Sequence, residues 1–344
     1  MIIGCAFLIS SCSENEDKNA GTSDLATYFN YEEPGIKTGG VRMVPVETPK
    51  GTFNVWTKRF GNNPRVKVLL LHGGPGASHD YFESFESYLP AEGIELIYYD
   101  QLGGGRSDNP ADTALWNLGR FVDEVEQVRK ALGLNKDNCY LLGHSWGGWL
   151  AIEYALTHQD DIKGLILSST MSSSEDYDAY AHNVLAKQMD PAVVDSIIMM
   201  EERGDFENPH YMELLLPHFY NQFICRLPMD QWPEPMTHSF SSLNPEIYVT
   251  MQGPSEFGIA GKLEKWNRKS DLSSITVPTL CLAARYDSMD PGHMKMISET
   301  VQQGSYYMCP EGSHMAMWDD QAHYFPSLIK WITAVDAGEV KVIL

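Results

Sequence analysis

The amino-acid sequence predicts an α/β fold, namely a doubly wound, mostly parallel sheet with an inserted helical cap domain. Short apolar runs, typical of buried strands, alternate with segments whose apolar residues recur at helical spacing. Between residues 171 and 270 the strand-like runs disappear, and methionine, aromatic and acidic residues recur at helical spacing instead. At residues 143–148 a serine flanked by glycines joins an apolar run to a helical one.

Six apolar runs predict the strands of the sheet, after an edge hairpin at residues 52–60. The runs lie at residues 66–71, 94–99, 139–142, 162–168, 278–284 and near 305–308. Helical periodicity at residues 118–132 and 147–157 predicts helices that pack against the sheet. The same periodicity recurs in the cap, at residues 193–202 and 211–226.

These patterns divide the 344 residues into four parts. Residues 1–30 form a leader and tether, residues 31–170 and 271–344 form the two parts of the sheet domain, and residues 171–270 form the cap. With 43% hydrophobic residues, the composition is that of an ordinary globular protein. A net charge of −21 argues against nucleic acid as a partner, because phosphate binding requires concentrated lysine and arginine. We expect no metal and no cofactor, since neither zinc-ligand spacing nor a phosphate-binding glycine loop is found.

Ser145 is the candidate nucleophile. In a strand-turn-helix elbow this residue has a strained backbone, and Gly143 and Gly147 leave room for the neighbouring strand and helix. The N–H group of Trp146, directly after the serine, is a candidate donor to an oxyanion, and the loop at residues 72–76 is able to supply another. The serine pattern alone is common in ordinary turns, so it needs support from elsewhere in the chain.

Two further residues supply that support. Asp287 follows the strand predicted at residues 278–284, and His314 follows the last predicted strand. The chain order of serine, aspartate and histidine is that of α/β-hydrolases, and each residue lies at a strand's carboxyl end, where open α/β sheets build their sites. The sequence therefore predicts the α/β-hydrolase fold with a catalytic triad.

The N-terminal segment resembles a bacterial lipoprotein signal. Residues 1–11 are apolar and rich in small residues, Cys12 would be lipidated, and residues 13–18 form an acidic tether. No lysine or arginine precedes the apolar run, so an ordinary hydrophobic leader, or a true start further upstream, is the alternative. The run is too short for a transmembrane helix. We expect a location in the cell envelope, facing the periplasm or the cell surface, or in the cytoplasm if the leader is not functional.

The remaining cysteines do not indicate a disulfide framework. Cys139 and Cys281 fall inside predicted core strands, where cysteine acts as a small hydrophobic residue. Cys225 and Cys309 are unassigned, and they would be free to oxidise in an exported protein if they met.

Five segments together resemble the prolyl aminopeptidase (proline iminopeptidase) family of α/β-hydrolase serine peptidases. They are residues 72–76, 99–107, 143–148, 253–257 and 313–318, and the resemblance extends from about Tyr31 to the C-terminus. The segments at 72–76 and 99–107 are the more specific ones, whereas the elbow is shared with many lipases and esterases. The resemblance implies release of an N-terminal residue, often proline, from peptides with a free N-terminus.

The resemblance also implies the roles of individual residues. Ser145 would be the nucleophile, His314 the general base and then acid, and Asp287 the group that orients the imidazole. Gly74 and Trp146 would donate to the oxyanion.

For the substrate's α-ammonium the resemblance implies Glu256. A second glutamate of the family, after the catalytic aspartate, is replaced here by Ser288. Asp290 is able to substitute for it, or else to cap a helix that begins at Pro291.

Two other functions remain open at this point. An esterase acting on neutral small molecules would share the triad, although it would have no use for Glu256; an epoxide hydrolase would need an aspartate in place of Ser145. A non-catalytic surface lipoprotein is disfavoured, because the residues of a triad and an oxyanion loop are present. The preferred first residue and the number of subunits do not follow from the sequence.

Overall fold

An eight-stranded sheet forms the centre of the computed structural model, which describes residues 36–37 and 40–344. The strands are β1 (Gly40–Thr48), β2 (Gly51–Phe60), β3 (Lys67–Leu71), β4 (Glu95–Tyr99), β5 (Cys139–His144), β6 (Gly164–Ser168), β7 (Thr279–Ala284) and β8 (Gly304–Cys309). Their order in the sheet is β1-β2-β4-β3-β5-β6-β7-β8. β2 pairs antiparallel with β1 and β4, and the remaining pairs are parallel. The predicted fold class is confirmed.

Ten α-helices accompany the sheet in the described part of the chain. They are α1 (Leu118–Ala131), α2 (Trp146–His158), α3 (Ser174–Tyr180), α4 (Pro191–Glu202), α5 (Pro209–Leu215), α6 (Glu234–Ser241), α7 (Pro245–Met251), α8 (Pro291–Thr300), α9 (Ala316–Asp319) and α10 (Gln321–Asp336). Shorter 3-10 turns lie at Asp80–Ser87, Pro90–Glu92, Thr113–Leu115, Gln159–Asp161, Ala186–Gln188, Met229–Gln231 and Leu272–Ser274, and π-helical turns at Ala181–Leu185 and Leu216–Ile224. Within these residues no helix has the length and apolarity needed to cross a bilayer.

Burial and capping explain why the central elements form. Every residue of β3 and β5 is buried, as expected for parallel strands covered on both faces. α1 begins where the side chain of Asn117 accepts a hydrogen bond from the Arg120 N–H at 3.0 Å, and it buries Phe121, Val125 and Val128. α2 lies under the sheet's centre and is buried over most of its length. The loops that follow β3 and β5 therefore begin at the ends of fully buried strands.

The strand order places a switch point between β3 and β5. The chain moves outward in one direction from β3 to β4, and in the opposite direction from β5 to β6. Ligands of open α/β sheets bind in the crevice that such a reversal opens at the carboxyl ends of the strands. The loop after β3 begins at His72 and the elbow after β5 holds Ser145, so both candidate segments lie at this crevice.

Two local predictions need correction. The predicted edge hairpin at residues 52–60 is one strand, β2, and the strand at the edge is β1, which was not predicted. Many side chains of β1 are exposed and Pro45 lies within it, so the sequence lacks the regular alternation of apolar and polar residues. The helix predicted at residues 211–226 is α5 followed by a π-helical turn over Leu216–Ile224. Pro217 lies in that turn, and its missing N–H removes one α-helical hydrogen bond.

The segment between β6 and β7 contains the helices α3 to α7 and no strand of the sheet. One isolated bridge joins Ser173 to Asn267, near the two ends of this segment. The predicted leader, with Cys12, lies outside the described residues.

Candidate active site

Ser145 lies on a sharp turn between β5 and α2. Its φ of 57° and ψ of −125° form a strained conformation for a residue with a side chain. A Cβ on Gly143 would clash with the Gly147 carbonyl, and one on Gly147 would clash with the Leu71 carbonyl, so neither position tolerates a side chain. The Ser145 N–H donates to the Ser168 carbonyl at 3.1 Å, which holds the turn to the neighbouring strand.

The loop after β3 holds Gly73 by both of its backbone groups. The Gly73 N–H donates to the Tyr81 hydroxyl at 2.5 Å, and the Nδ1 of His72 contacts the Gly73 carbonyl oxygen at 2.9 Å. His72 Nε2 accepts from the Gln101 N–H at 3.0 Å, so its proton lies on Nδ1 and is donated to Gly73. The Gly74 N–H belongs to the same planar peptide as the Gly73 carbonyl and therefore points the opposite way.

Gly74 and Trp146 are the two predicted oxyanion donors. Gly74 has a φ of 108°, a conformation that favours glycine, and it lines the same cavity as Ser145. Trp146 is the first residue of α2, where backbone N–H groups have no acceptor within the helix and the helix dipole favours negative charge. Their assignment as donors to an oxyanion beside Ser145 stays a prediction.

His314 and Asp287 are in contact. The Nδ1 of His314 lies 2.8 Å from Asp287 Oδ1, and the same oxygen accepts from the Met289 N–H at 2.9 Å. Since Nδ1 is bound to the carboxylate, Nε2 is the nitrogen left for proton exchange. Burial lowers the pKa of His314, but the charge and hydrogen bond of Asp287, together with Glu256, outweigh it, so the pKa lies above its ordinary value.

Ser145, His314 and Glu256 line one cavity of about 290 Å³. Glu256 is half-buried, and its Oε1 accepts a hydrogen bond from the Tyr248 hydroxyl at 2.6 Å. The Tyr177 hydroxyl donates to the main-chain oxygen of Glu256 at 2.6 Å. The cap contributes most of the apolar lining, which includes Met212, Leu216, Ile224, Phe240, Leu243, Val249 and Pro254.

The structure places Ser288, which stands at the position of the second family glutamate, and Asp290, the predicted substitute, in different surroundings. Asp290 caps α8, where its Oδ1 accepts from the Gly292 N–H at 2.8 Å, and it is not among the residues that line the cavity. Ser288 is fully buried, and its hydroxyl lies 3.3 Å from His314 Nδ1. Cys225 and Cys309 are both free and buried.

Several contacts of this site have no signal in the sequence. The tyrosines that hold Glu256 lie on α3 and α7. Tyr177 is 79 residues from it and Tyr248 is eight, and neither spacing is that of a recognised motif. Tyr81 lies in a segment without a recognisable motif. His144 is inside the elbow, but only the structure shows that its ring contacts Tyr81 and His314.

Among the described residues, one group has the spacing of a metal site. Ligand atoms of Glu126, His158 and Asp161 lie within 4.8 Å of one another. Two cations already contact the Glu126 carboxylate, Arg129 at 2.9 Å and Lys130 at 2.8 Å, and they oppose a metal ion. His158 ends α2, about 20 Å along the helix from Ser145, so the group is remote from the cavity.

Comparisons with known proteins identify the family and the fold of the chain. A family model described as the alpha/beta hydrolase fold matches residues 67–198. A proline iminopeptidase of Chitinophaga pinensis is 52% identical over 294 residues, which are 86% of this chain and 98% of that protein. One from Flavobacterium johnsoniae is 53% identical over 298 residues, 87% of this chain and 100% of that protein.

A crystal structure of the proline iminopeptidase of Mycobacterium smegmatis superimposes with a TM-score of 0.77 at 26% identity, covering 86% of this chain and 99% of that one. The resemblance seen in five sequence segments therefore extends over nearly the whole length of these relatives. On this evidence the chain belongs to the proline iminopeptidase family of α/β-hydrolase peptidases.

Proposed function

We propose that this protein is a serine aminopeptidase that releases an N-terminal residue, proline or another small apolar residue, from peptides through an acyl-enzyme intermediate. The observation that carries the proposal is the Glu256 carboxylate in the same cavity as Ser145 and His314. Family membership supports the same activity, because the relatives are named proline iminopeptidases.

Glu256 gives the cavity a preference for a cation. It is the only carboxylate among the described residues that line the cavity, and most of its neighbours there are apolar. In such surroundings an unpaired charge is costly and an opposite charge is attracted more strongly than in water. The Tyr248 hydroxyl occupies one acceptor position on Oε1, and the Tyr177 hydroxyl lies 3.4 Å from Oε2. A carboxylate has about four acceptor positions, so others remain for the N–H groups of a substrate's α-ammonium.

In the proposed acylation step, Ser145 and His314, which line one cavity, act together. The Ser145 hydroxyl attacks the carbonyl carbon of the first residue while His314 Nε2 takes its proton. Asp287 holds the resulting imidazolium through Nδ1, and the oxyanion accepts hydrogen bonds from the Gly74 and Trp146 amides. The imidazolium then gives its proton to the leaving amine, the C–N bond breaks, and the remaining peptide departs.

Deacylation repeats these steps with water. His314 takes a proton from a water molecule, the hydroxide attacks the ester carbonyl, and the proton returns to Ser145 as the free amino acid leaves. A cavity of about 290 Å³ lies at the lower end of the range of roughly 300–1,000 Å³ typical of small-molecule sites. It therefore suits one residue of the substrate, which agrees with removal of single residues from a free N-terminus.

Three substrates test the proposal side by side. Pro-β-naphthylamide and Ala-β-naphthylamide carry a free ammonium, whereas p-nitrophenyl acetate carries none. We expect turnover of the naphthylamides, and a loss of roughly three to six decades in kcat for Ser145→Ala with an unchanged circular dichroism spectrum. Turnover of the acetate alone would identify an esterase, and activity of Ser145→Ala within tenfold of wild type would remove Ser145 from the mechanism.

A location in the cell envelope is part of the proposal. The pattern at residues 8–12 supports lipidation of Cys12, with the acidic residues 13–18 as a tether between the lipid and the peptidase. The substrates would then be peptides outside the cytoplasm.

A further inference from the structure

A buried series of hydrogen bonds connects Gly73, in the loop after β3, to the backbone of His314. The Gly73 N–H donates to the Tyr81 hydroxyl at 2.5 Å, and that hydroxyl lies 3.1 Å from His144 Nδ1. His144 Nε2 lies 2.9 Å from the main-chain oxygen of His314. Tyr81 and His144 are each only 2% exposed, so water does not compete for these contacts.

The direction of every proton in this chain is determined. An amide N–H is only a donor, so the Tyr81 oxygen accepts from Gly73 and keeps its own proton for His144 Nδ1. His144 Nδ1 is therefore the acceptor nitrogen, and its proton lies on Nε2 and is donated to His314. Burial, together with the nearby His314, lowers the pKa of His144 well below its ordinary value, so this ring carries a single proton.

The two ends of this series of hydrogen bonds lie at groups whose positions matter for the chemistry. At one end, the Gly73 backbone also approaches the serine, since a Cβ on Gly73 would lie 3.0 Å from Ser145 Cβ. His72 holds the peptide that carries the Gly74 N–H through the Gly73 carbonyl, and Tyr81 holds the preceding peptide through the Gly73 N–H. At the other end, the bond to the His314 carbonyl fixes the backbone from which the imidazole projects.

We propose that Tyr81 and His144 are positioning residues, which hold the oxyanion amide of Gly74 and the imidazole of His314 in register with Ser145. This inference rests on the proposed function, in which those groups act on one tetrahedral intermediate. Neither Tyr81 nor His144 takes a proton from the substrate. Their effect is on how closely the amide and the imidazole match the transition state.

Tyr81→Phe tests the first half of the chain, because it keeps the buried ring and removes only the hydroxyl. Tyr154→Phe is the matched control: Tyr154 is also fully buried, and its hydroxyl bonds to Glu126 and Arg129 away from the cavity. We expect Tyr81→Phe to lower kcat for Pro-β-naphthylamide and p-nitrophenyl acetate by about 10- to 100-fold, somewhat less than outright loss of an oxyanion donor, with KM within about threefold. Tyr154→Phe should leave kcat within about twofold.

An aldehyde inhibitor separates positioning from cavity shape. Prolinal adds to the enzyme as a C–O bond forms between Ser145 Oγ and the aldehyde carbon, with the serine proton passing to His314, and it places an oxyanion beside Gly74. The Ki of prolinal should rise in Tyr81→Phe by about the factor lost from kcat, whereas the Ki of proline should not change. An equal rise in both values, or none in the prolinal value, would overturn the inference.

The second half of the chain is tested by His144→Gln and His144→Leu. Glutamine keeps a side-chain donor for the His314 carbonyl and leucine does not, so kcat should fall in the order wild type, His144→Gln, His144→Leu, with thermal unfolding followed in parallel. Equal losses in the two variants would refute a role for that donor. If the wild-type protein turned over p-nitrophenyl acetate but not the naphthylamides, the proposed function would be refuted instead. The kcat for the acetate would still measure the effect of the Tyr81 and His144 variants.

Discussion

Glu256→Gln is the most informative single change, because it removes a charge and keeps the shape of the side chain. Glu256 lines the cavity with Ser145 and His314, and the Tyr248 hydroxyl still finds an acceptor in the amide oxygen of glutamine. The variant therefore isolates the attraction between the carboxylate and a substrate ammonium. It leaves the triad and the oxyanion amides in place.

The size of the effect follows from the burial of Glu256. Two unit charges about 4 Å apart attract by about 1 kcal/mol in water and about 4 kcal/mol at the effective dielectric constant of ~20 near a protein surface. Glu256 is half-buried, with the Tyr248 hydroxyl on its carboxylate and apolar side chains along most of the cavity, so its interaction falls between these limits and toward the larger one. We expect kcat/KM for aminoacyl-naphthylamides to fall by roughly one to three decades.

The assay compares kcat/KM for Pro-β-naphthylamide, Ala-β-naphthylamide and p-nitrophenyl acetate in the same preparation. Glu264→Gln is the matched control, since Glu264 is an exposed carboxylate between β6 and β7 and is not among the residues that line the cavity. At a pH well above the pKa of His314, acetate turnover should stay nearly constant in both variants. Equal losses on acetate and naphthylamides would show that Glu256 supports the cavity's structure, and an unchanged naphthylamide rate would show that the amine is bound elsewhere.

Two further predictions concern the histidine and the leader. His314 acts as a base only in its neutral form. Because its pKa is raised, activity should be lost as the pH falls through that raised pKa. Glu256→Gln removes one cause of the increase, so it should move the acidic limb of kcat/KM for p-nitrophenyl acetate to lower pH. An unmoved or upward-shifted limb would contradict this coupling. Full-length protein expressed in a bacterium should begin at a diacylated or triacylated Cys12 by intact mass, and Cys12→Ser should abolish membrane association; an unacylated species that retains the preceding residues would argue against a lipoprotein.

The sheet and the elbow could be predicted because their signals are local. The buried runs of β3 and β5 and the glycines around Ser145 are short contiguous patterns, so they are visible in the sequence even where the group they pack against, such as Leu71 against Gly147, lies elsewhere in the chain. β1 was missed because it lies at the edge of the sheet. Many of its side chains are exposed and Pro45 lies within it, so its sequence lacks the regular alternation of apolar and polar residues that marks a strand.

The residues that hold Glu256 could not be predicted, because they depend on how the cap packs. Tyr177 is separated from Glu256 by 79 residues, and nothing in either segment specifies that the hydroxyl meets the backbone of the glutamate. Asp290 shows the opposite case. Its position before Pro291 is a local signal for a helix cap, and the structure shows that cap.

The same distinction explains why the catalytic roles could be proposed from the sequence while Tyr81 and His144 could not. A nucleophile, a base and its carboxylate each need a particular residue type at the end of a strand, so a motif records them. A positioning residue needs only to bring a hydroxyl or a ring nitrogen within hydrogen-bond distance of a backbone group. Residues of several types, at many positions in the chain, satisfy that condition. Tyr81 contacts Gly73 from eight residues away, and His144 contacts His314 from 170 residues away. These contacts are therefore determined by how the loops pack. If the predicted losses in Tyr81→Phe are found, part of the catalytic rate depends on contacts that no motif of this chain contains.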